Sequence, residues 1–310
     1  MARHYGIPYM GSKQKLVDKL IPFILKRHPG ADSFYDLFGG GGSASLYAVL
    51  KYPHLDVVYN ERSKAISELM EALRNGDPIS TKWVDRKTFE HEYTGDDAWS
   101  GLLQSAWTFG NNQKSYLYGK PIEEFKHQLH ELVMTGKGDI AWLEKRADEL
   151  LASEYGKKDR HTRLFLNAER YSTPYQRRIV LNRQMPELGA LQHLSRLERL
   201  QQIENMPGIS TLGISKGKSY DEVPIIGVKP IIYCDPPYEG TAEYREGAFD
   251  SKKFYDWVME QTVPVYVSSY KVSDSRLKLV KAVRTRSLLS SAYTEKATYN
   301  YENLYWNGVS

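Results

Sequence analysis

Asp235-Pro236-Pro237-Tyr238 directly follows an apolar run, Ile231 to Cys234. Two prolines fix φ and remove two backbone donors, which holds the neighbouring carbonyls in rigid, outward positions. Asp235 adds a carboxylate acceptor, and the Tyr238 ring offers a face for stacking a planar group. Acceptors beside a ring suit an exocyclic amine on an aromatic base. A plain proline-rich turn is the bland alternative. The placement at a strand end, where open α/β sheets bind ligands, argues against it.

Two further features belong to the same chemistry. Asp36-Leu37-Phe38 runs into four glycines, Gly39 to Gly42, before a helical segment. Glycine there lets the backbone approach a ligand, and the following helix presents unpaired N–H groups. The turn is neither a Walker loop, since Gly42 is followed by Ser43 and Ala44, nor a clean G-x-G-x-x-G. Tyr59-Asn60-Glu61 lies about 25 residues beyond Asp36, where such sheets place a carboxylate on a ribose diol. Glu61 could instead cap the helix that begins near Ser63. Taken together, glycine turn and carboxylate point to an adenosine-containing cofactor.

The elements that must position these residues are readable by period and punctuation. Leu16, Leu20, Phe23 and Ile24 keep helical spacing up to His28-Pro29-Gly30, and Ser33 to Phe38 reads as a strand. A helix from Ser43 to Lys51, a strand from Leu55 to Tyr59 and a helix from Ser63 to Arg74 follow, completing a βαβ pattern. Residues 76–224 lose that alternation and read as mostly helical, the clearest helix carrying Leu194, Leu197, Leu200 and Ile203. Strand and helix signals return at Lys229 to Cys234, Ser251 to Gln261 and Val263 to Ser269. Ser287 to Tyr293 and Tyr301 to Trp306 look like a closing antiparallel pair. The expected architecture is one α/β sheet from residues 1–75 and 225–310, split by a helical insertion over 76–224.

Composition narrows the class. The 310 residues are 41% hydrophobic and 26% charged, which suits a folded chain rather than a disordered one. One cysteine, Cys234, excludes an intramolecular disulfide and a zinc site built from cysteines, and its default role is that of a small buried hydrophobe. No apolar run is long enough to span a membrane and the first residues lack a secretory signal, so a cytoplasmic protein is expected. The net charge of +4 is mild, but its placement is uneven. Between Lys157 and Leu200 ten Lys and Arg face four acids, a local +6 that leaves −2 for the remainder. Phe165, Tyr171 and Tyr175 are interleaved with these cations, a mixture that suits a phosphate backbone and exposed bases as well as an ordinary solvated helix face.

Three other patterns are set aside. Gly213-Ile-Ser215-Lys-Gly217 matches G-x-S-x-G but lies in a polar stretch without the strand and helix of a nucleophile elbow. His127 and His130 are three apart on a helix with Glu131 adjacent, and no further ligand is indicated elsewhere, so a surface helix is expected rather than a metal site. Cys234 lacks the Pro-Cys context of a cysteine that attacks cytosine carbon.

In this order the motifs resemble the Dam-type DNA adenine-N6 methyltransferases, including phage-encoded members. Tyr9-Met-Gly11-Ser-Lys13 is similar to the family's N-terminal aromatic-x-Gly-x-Lys motif. Asp36-Leu-Phe38-Gly39-Gly-Gly41 resembles its methionine-binding turn, Asn60-Glu61 its ribose-binding acid, and Asp235-Pro236-Pro237-Tyr238 its catalytic motif. Glu302-Asn-Leu-Tyr-Trp-Asn307 resembles its final strand. The departures are Tyr9 and Glu61, where Trp and Asp are frequent. The likeness covers about half of the chain, in the two flanks.

The resemblance implies a Rossmann-like, S-adenosylmethionine-dependent methyltransferase sheet carrying a target-recognition insertion. It implies transfer of a methyl group to the N6 of a flipped-out adenine in double-stranded DNA. Tyr9, Lys13, Asp36, Phe38, Gly39, Gly41, Glu61 and Asp235 would form the cofactor site, with Asp235, Pro236, Pro237 and Tyr238 catalytic and no metal needed. Phe109-Gly-Asn-Asn-Gln-Lys-Ser-Tyr-Leu-Tyr118 is similar to a DNA-contacting hairpin of the family. Asn111, Asn112, Lys114, Tyr116, Arg177 and Arg178 are the candidate DNA contacts. A bacterial or phage-infected cell is the expected setting, with a companion restriction endonuclease as an open second partner. The alternatives are the same fold acting on cytosine N4, RNA or a protein amide, and a catalytically inactive DNA-binding module.

Overall fold

The computed structural model describes residues 5–152, 171–184, 188–239, 249–286 and 299–310. The chain separates into two compact units. The first comprises Met1–Ile79, Gly95–Leu102 and Arg199–Ser310, and the second Ser80–Thr94 and Leu103–Glu198.

The first unit is built on a seven-stranded, mostly parallel sheet, compatible with a Rossmann-like fold. Its strands are β1 (Ser33–Asp36), β2 (Asp56–Glu61), β3 (Gly213–Lys216), β4 (Pro230–Cys234), β5 (Val265–Ser269), β6 (Lys278–Arg286) and β7 (Tyr299–Trp306). They are ordered β3-β2-β1-β4-β5-β7-β6, with β7 antiparallel to both neighbours and the other pairings parallel. Helices α1 (Val17–Arg27), α2 (Ser43–Lys51) and α3 (Lys64–Asn75) belong to its N-terminal half. Every residue of β1, β4 and β5 is buried, as expected of central parallel strands covered on both faces. Cys234 lies in that core beside Tyr35, Ile232, Val267 and Phe254. Strand order reverses between β1 and β4, so the crevice at their carboxyl ends is a topological switch point.

Two strands escaped the sequence reading, and both are sheet edges. β3 falls in the stretch set aside as polar, and its pairing with β2 draws residues up to 224 into the sheet unit. The expected insertion boundary at 224 is thereby corrected to Glu198, and Gly95–Leu102 also joins the sheet unit. β6 pairs with β7, and Ser287 to Tyr293, the strand expected to pair with it, lies outside the described residues. β6 carries Lys278, Lys281, Arg284 and Arg286. Edges shed apolar alternation in favour of charge, which discourages pairing with another chain, so periodicity under-reports them.

The second unit is helical, as expected. It holds α4 (Arg86–Glu92), α6 (Lys120–Thr135), α7 (Ile140–Leu151) and α8 (Pro174–Gln184), whereas α5 (Ala98–Ala106) and α9 (Gln192–Glu204) belong partly to each unit. Asp85 and Asp139 cap α4 and α7 by accepting from the Thr88 and Trp142 amides. Trp83 is the hub of its core, stacked on Tyr118 and His127 and edge-on to Trp107. His193 shares hydrogen bonds with His130 at 2.9 Å and Tyr118 at 2.7 Å. His130 is therefore a buried core residue, not part of a surface face, and burial lowers its pKa to about 4. Among the described residues no group of three His, Cys, Asp or Glu could hold a metal ion, and no helix is long and apolar enough to cross a membrane.

Candidate active site

β1 ends on Asp36 and β4 is followed at once by Asp235, so the two carboxylates flank the switch point. One cleft there is lined by Tyr9, Lys13, Asp36, Phe38, Gly39, Gly41 and Glu61 from the N-terminal segments. Asp235, Pro236, Pro237 and Tyr238 line it from the other side. All expected cofactor and catalytic positions thus share a single cleft.

The glycine turn is forced by packing. A Cβ on Gly39 would stand 2.3 Å from the Tyr59 ring, and one on Gly41 would stand 2.6 Å from the Ile7 carbonyl oxygen. Gly40 and Gly42 have φ of +48° and +75°, in the left-handed region that side chains disfavour. The turn is pinned from beneath by the Tyr59 hydroxyl, which donates to the Gly40 carbonyl at 2.7 Å. Tyr9 packs over it from the N-terminal segment, where Ile7 N–H donates to the Gly41 carbonyl.

Glu61, the last residue of β2, braces the turn. Its Oε2 accepts from Gly40 N–H at 2.7 Å and its Oε1 from Ser63 N–H at 2.9 Å. The capping alternative is therefore partly realised, because Ser63 is the residue before α3. A carboxylate oxygen can accept more than one hydrogen bond, so bracing the turn and lining the cleft are compatible roles for Glu61. Asp36 lines the cleft, yet its Oδ2 accepts from the Ser45 hydroxyl at 2.7 Å and the Ser45 amide at 3.2 Å. Burial pushes its pKa up to about 7 against those hydrogen bonds, with the Asp235 charge adding to the rise. Phe38 stacks on Tyr220 and meets Phe249 and Phe254 edge-on, forming the aromatic wall.

On the opposite side, Lys13 Nζ lies 2.8 Å from Asp235 Oδ1 and donates to the Tyr238 hydroxyl at 2.5 Å. It is 3.7 Å from Glu302 Oε1. Tyr238 OH is 3.2 Å and 3.3 Å from the two Glu302 oxygens, and Ser268 Oγ donates to Glu302 Oε1 at 2.6 Å. Burial lowers the Lys13 pKa, but Asp235 and Glu302 outweigh it and hold the ammonium well above the ordinary lysine range. Burial raises Asp235 to about 6, with Lys13 opposing and Glu302 adding to the rise. The two shifts differ in origin: Lys13 keeps its proton because two carboxylates face it, whereas Asp235 is raised first by burial, which its share of one cation does not fully offset. Tyr270 packs against Tyr238 with ring centroids 4.4 Å apart.

Glu302 and Ser268 were missed in the sequence. The available signal was a lone acid on β7, on the same face as the fully buried Leu304.

The candidate DNA contacts divide. Residues 107–117 form a tight hairpin, with Phe109 N–H donating to Ser115, Leu117 N–H to Trp107, and Thr108 bridging Tyr116. Lys114 and Phe109 are exposed at its tip, whereas Asn111 and Asn112 are half-buried. Asn112 Oδ1 accepts from the Lys114 and Ser115 amides, and Asn111 holds a φ of +58°.

Tyr116, Arg177 and Arg178 require correction, because all three are buried. Tyr116 donates to the Val84 carbonyl at 2.7 Å and carries the Arg86 guanidinium on its ring. Arg177 caps the end of α6 by donating to the carbonyls of Val133 and Met134, and it also donates to that of Tyr171. Arg178 is paired with Glu198 and Ser195. Arginine satisfies several buried carbonyls with one planar fork, so part of the +6 stretch is spent inside the unit. Lys157, Lys158, Arg160, Arg163, Phe165 and Arg170 lie outside the described residues.

No protein-family model matches the chain, and no curated protein matches it either.

Proposed function

We propose that the chain transfers a methyl group from S-adenosylmethionine to the exocyclic N6 of adenine in double-stranded DNA. The observation that carries this reading is the shared cleft: an Asp-Pro-Pro-Tyr turn faces a braced glycine turn and a strand-end carboxylate. The donor set fits the cofactor. Glu61 offers acceptors for a ribose diol, the glycine turn lets the backbone come close, and Phe38 with Tyr220 offers aromatic surface. Tyr9 and Lys13 close the cleft from the N-terminal segment. When bound, S-adenosylmethionine supplies an electrophilic methyl group on a sulfonium.

The chain's own residues act on the amine. An aromatic amine is a weak nucleophile because its lone pair is delocalised into the ring. Hydrogen bonds to the Asp235 carboxylate and the Pro236 carbonyl favour the pyramidal geometry in which that lone pair is released. Positive charge develops on the nitrogen next to Asp235, a gain concentrated in the transition state. The Tyr238 ring stacks on the base, which must leave the duplex to reach the cleft.

Purified protein, methyl-labelled cofactor and duplex DNA, followed by digestion and nucleoside analysis, provide the test. N6-methyldeoxyadenosine is the expected product. Label in N4-methylcytosine, in RNA or in protein would replace the reading by a related one, and absence of both label and cofactor binding would leave a DNA-binding module.

The exposed hairpin tip is the favoured point of DNA contact, and two substitutions separate it from the buried arginines. Lys114→Gln should leave thermal stability unchanged, weaken DNA binding and reduce the salt slope by about one phosphate contact. Arg177→Gln should instead destabilise the fold by about 1–3 kcal/mol, because it strands buried carbonyls. A salt-dependent binding loss for Arg177→Gln without a melting shift would contradict that assignment.

A further inference from the structure

Glu302 is not on the cleft lining but directly behind it, nearly inaccessible to solvent. Ser268 fixes its Oε1, and the Tyr238 hydroxyl bridges it to Lys13. Lys13 in turn sits on Asp235 Oδ1, an oxygen of the very carboxylate that the reading above assigns to the substrate amine. An amine that takes Asp235 Oδ1 therefore displaces an ammonium. A displaced ammonium in a buried site is costly unless another anion receives it. Glu302 Oε1 is only 3.7 Å from Lys13 Nζ, so a shift of about 1 Å completes a normal charge-assisted hydrogen bond.

We propose that Glu302 is a positioning residue that takes over the Lys13 ammonium when the target amine occupies Asp235. The inference rests on the reading of Asp235 as the amine's acceptor. Lys13 thereby acts as a stand-in for the substrate amine, and Glu302 makes the exchange cheap. The same carboxylate tethers the Tyr238 hydroxyl, which keeps the stacking ring in one orientation while Lys13 moves. The other titratable groups near Asp235 are Asp36, Tyr233 and Cys234; none is a base placed to receive Lys13.

The test compares wild type and Glu302→Gln in single-turnover methyl transfer to DNA, with S-adenosylmethionine affinity followed separately by calorimetry. Gln keeps the size and an acceptor for Ser268 but cannot neutralise an ammonium, so Lys13 stays on Asp235. Cofactor affinity should be preserved while the methyl-transfer rate falls by up to about 100-fold. Adding Lys13→Met to Glu302→Gln, assayed at saturating S-adenosylmethionine because Lys13 also lines the cofactor cleft, should restore part of that loss, since no cation then contests Asp235. The acid limb of the rate profile should also move to lower pH, because removing Glu302 removes one cause of the raised Asp235 pKa. A wild type that methylates no adenine overturns the functional reading and this inference with it. An active wild type with a fully active Glu302→Gln variant, or with no recovery in the double variant, overturns the role of Glu302 alone. Should Glu302→Gln fail to fold, Ser268→Ala loosens the same carboxylate; it should slow methyl transfer with cofactor affinity intact, and an unchanged rate overturns the role.

Discussion

Asp235→Asn should lower the single-turnover rate of methyl transfer by about a thousandfold, the scale of losing one group that answers charge developing in a transition state. Asn keeps the size and one acceptor oxygen but removes the charge that faces the developing cation. The same variant should melt at the wild-type temperature or above it. Lys13 lies between two carboxylates, and removing the charge of one leaves the ammonium with Glu302 in a one-to-one pair. The sign of the pH dependence agrees. An acid whose folded pKa is raised contributes stability below its unfolded value and loses it as pH rises through the folded value, here about 6 for Asp235. At neutral pH the ionised carboxylate therefore costs stability while serving chemistry. In wild type the rate should fall as pH drops through about 6, because the protonated acid no longer presents a negative charge to the cation developing on the amine. Calorimetric melting and single-turnover rates on one preparation check both statements. A large fall in melting temperature would mean that the lost rate reflects lost structure.

Gly39→Ala should destabilise the first unit by about 1–3 kcal/mol, the usual cost of forcing an extra carbon into a packed site. The new Cβ would stand 2.3 Å from a Tyr59 ring carbon and 2.9 Å from the Asn60 carbonyl oxygen. The ring has no room to yield, since Tyr59 is fully buried and its hydroxyl is held by Gly40. The backbone cannot withdraw either, because Gly39 N–H donates to that same Asn60 carbonyl at 2.8 Å. Displacing the turn also pulls Gly40 from Glu61, so cofactor affinity should fall further than the stability loss alone explains. Tyr59→Leu in the same chain should recover part of the stability, and a double-mutant cycle of melting data measures the coupling. Independent, additive effects would show that the Tyr59 ring is not what excludes a side chain at position 39.

What could be read from the sequence follows a physical line. The central strands were legible because β1, β4 and β5 are buried on both faces and each carries adjacent apolar residues, and because glycine and proline mark their ends. The glycine turn, Glu61 and Asp235 were legible because their chemistry needs particular residue types in particular strand-end positions. The edges β3 and β6 were not, since polar and charged residues there serve solubility and not the core. Glu302 was hidden for a different reason. A single buried acid in a strand looks like one of many surface acids until the fold reveals Lys13 and Tyr238 in front of it. Arg177 and Arg178 mislead in the opposite sense, because charge counts do not distinguish a cation that meets solvent from one that caps a helix.

The position of β1 has a consequence for biosynthesis. Its two neighbours come from opposite ends of the chain: Ser33 is aligned with Asp56 on one side and with Pro230 on the other. On the ribosome, β1 can pair with β2 almost as soon as both emerge, but its other side stays unpaired until the entire helical unit has been translated. A nascent chain therefore carries a buried-type strand with one open flank until Pro230 to Tyr233 emerge, the kind of surface that recruits chaperones or misassociates. Premature termination before Pro230 would leave the glycine turn without its facing wall, so translation must pass Tyr238 before the cleft can exist.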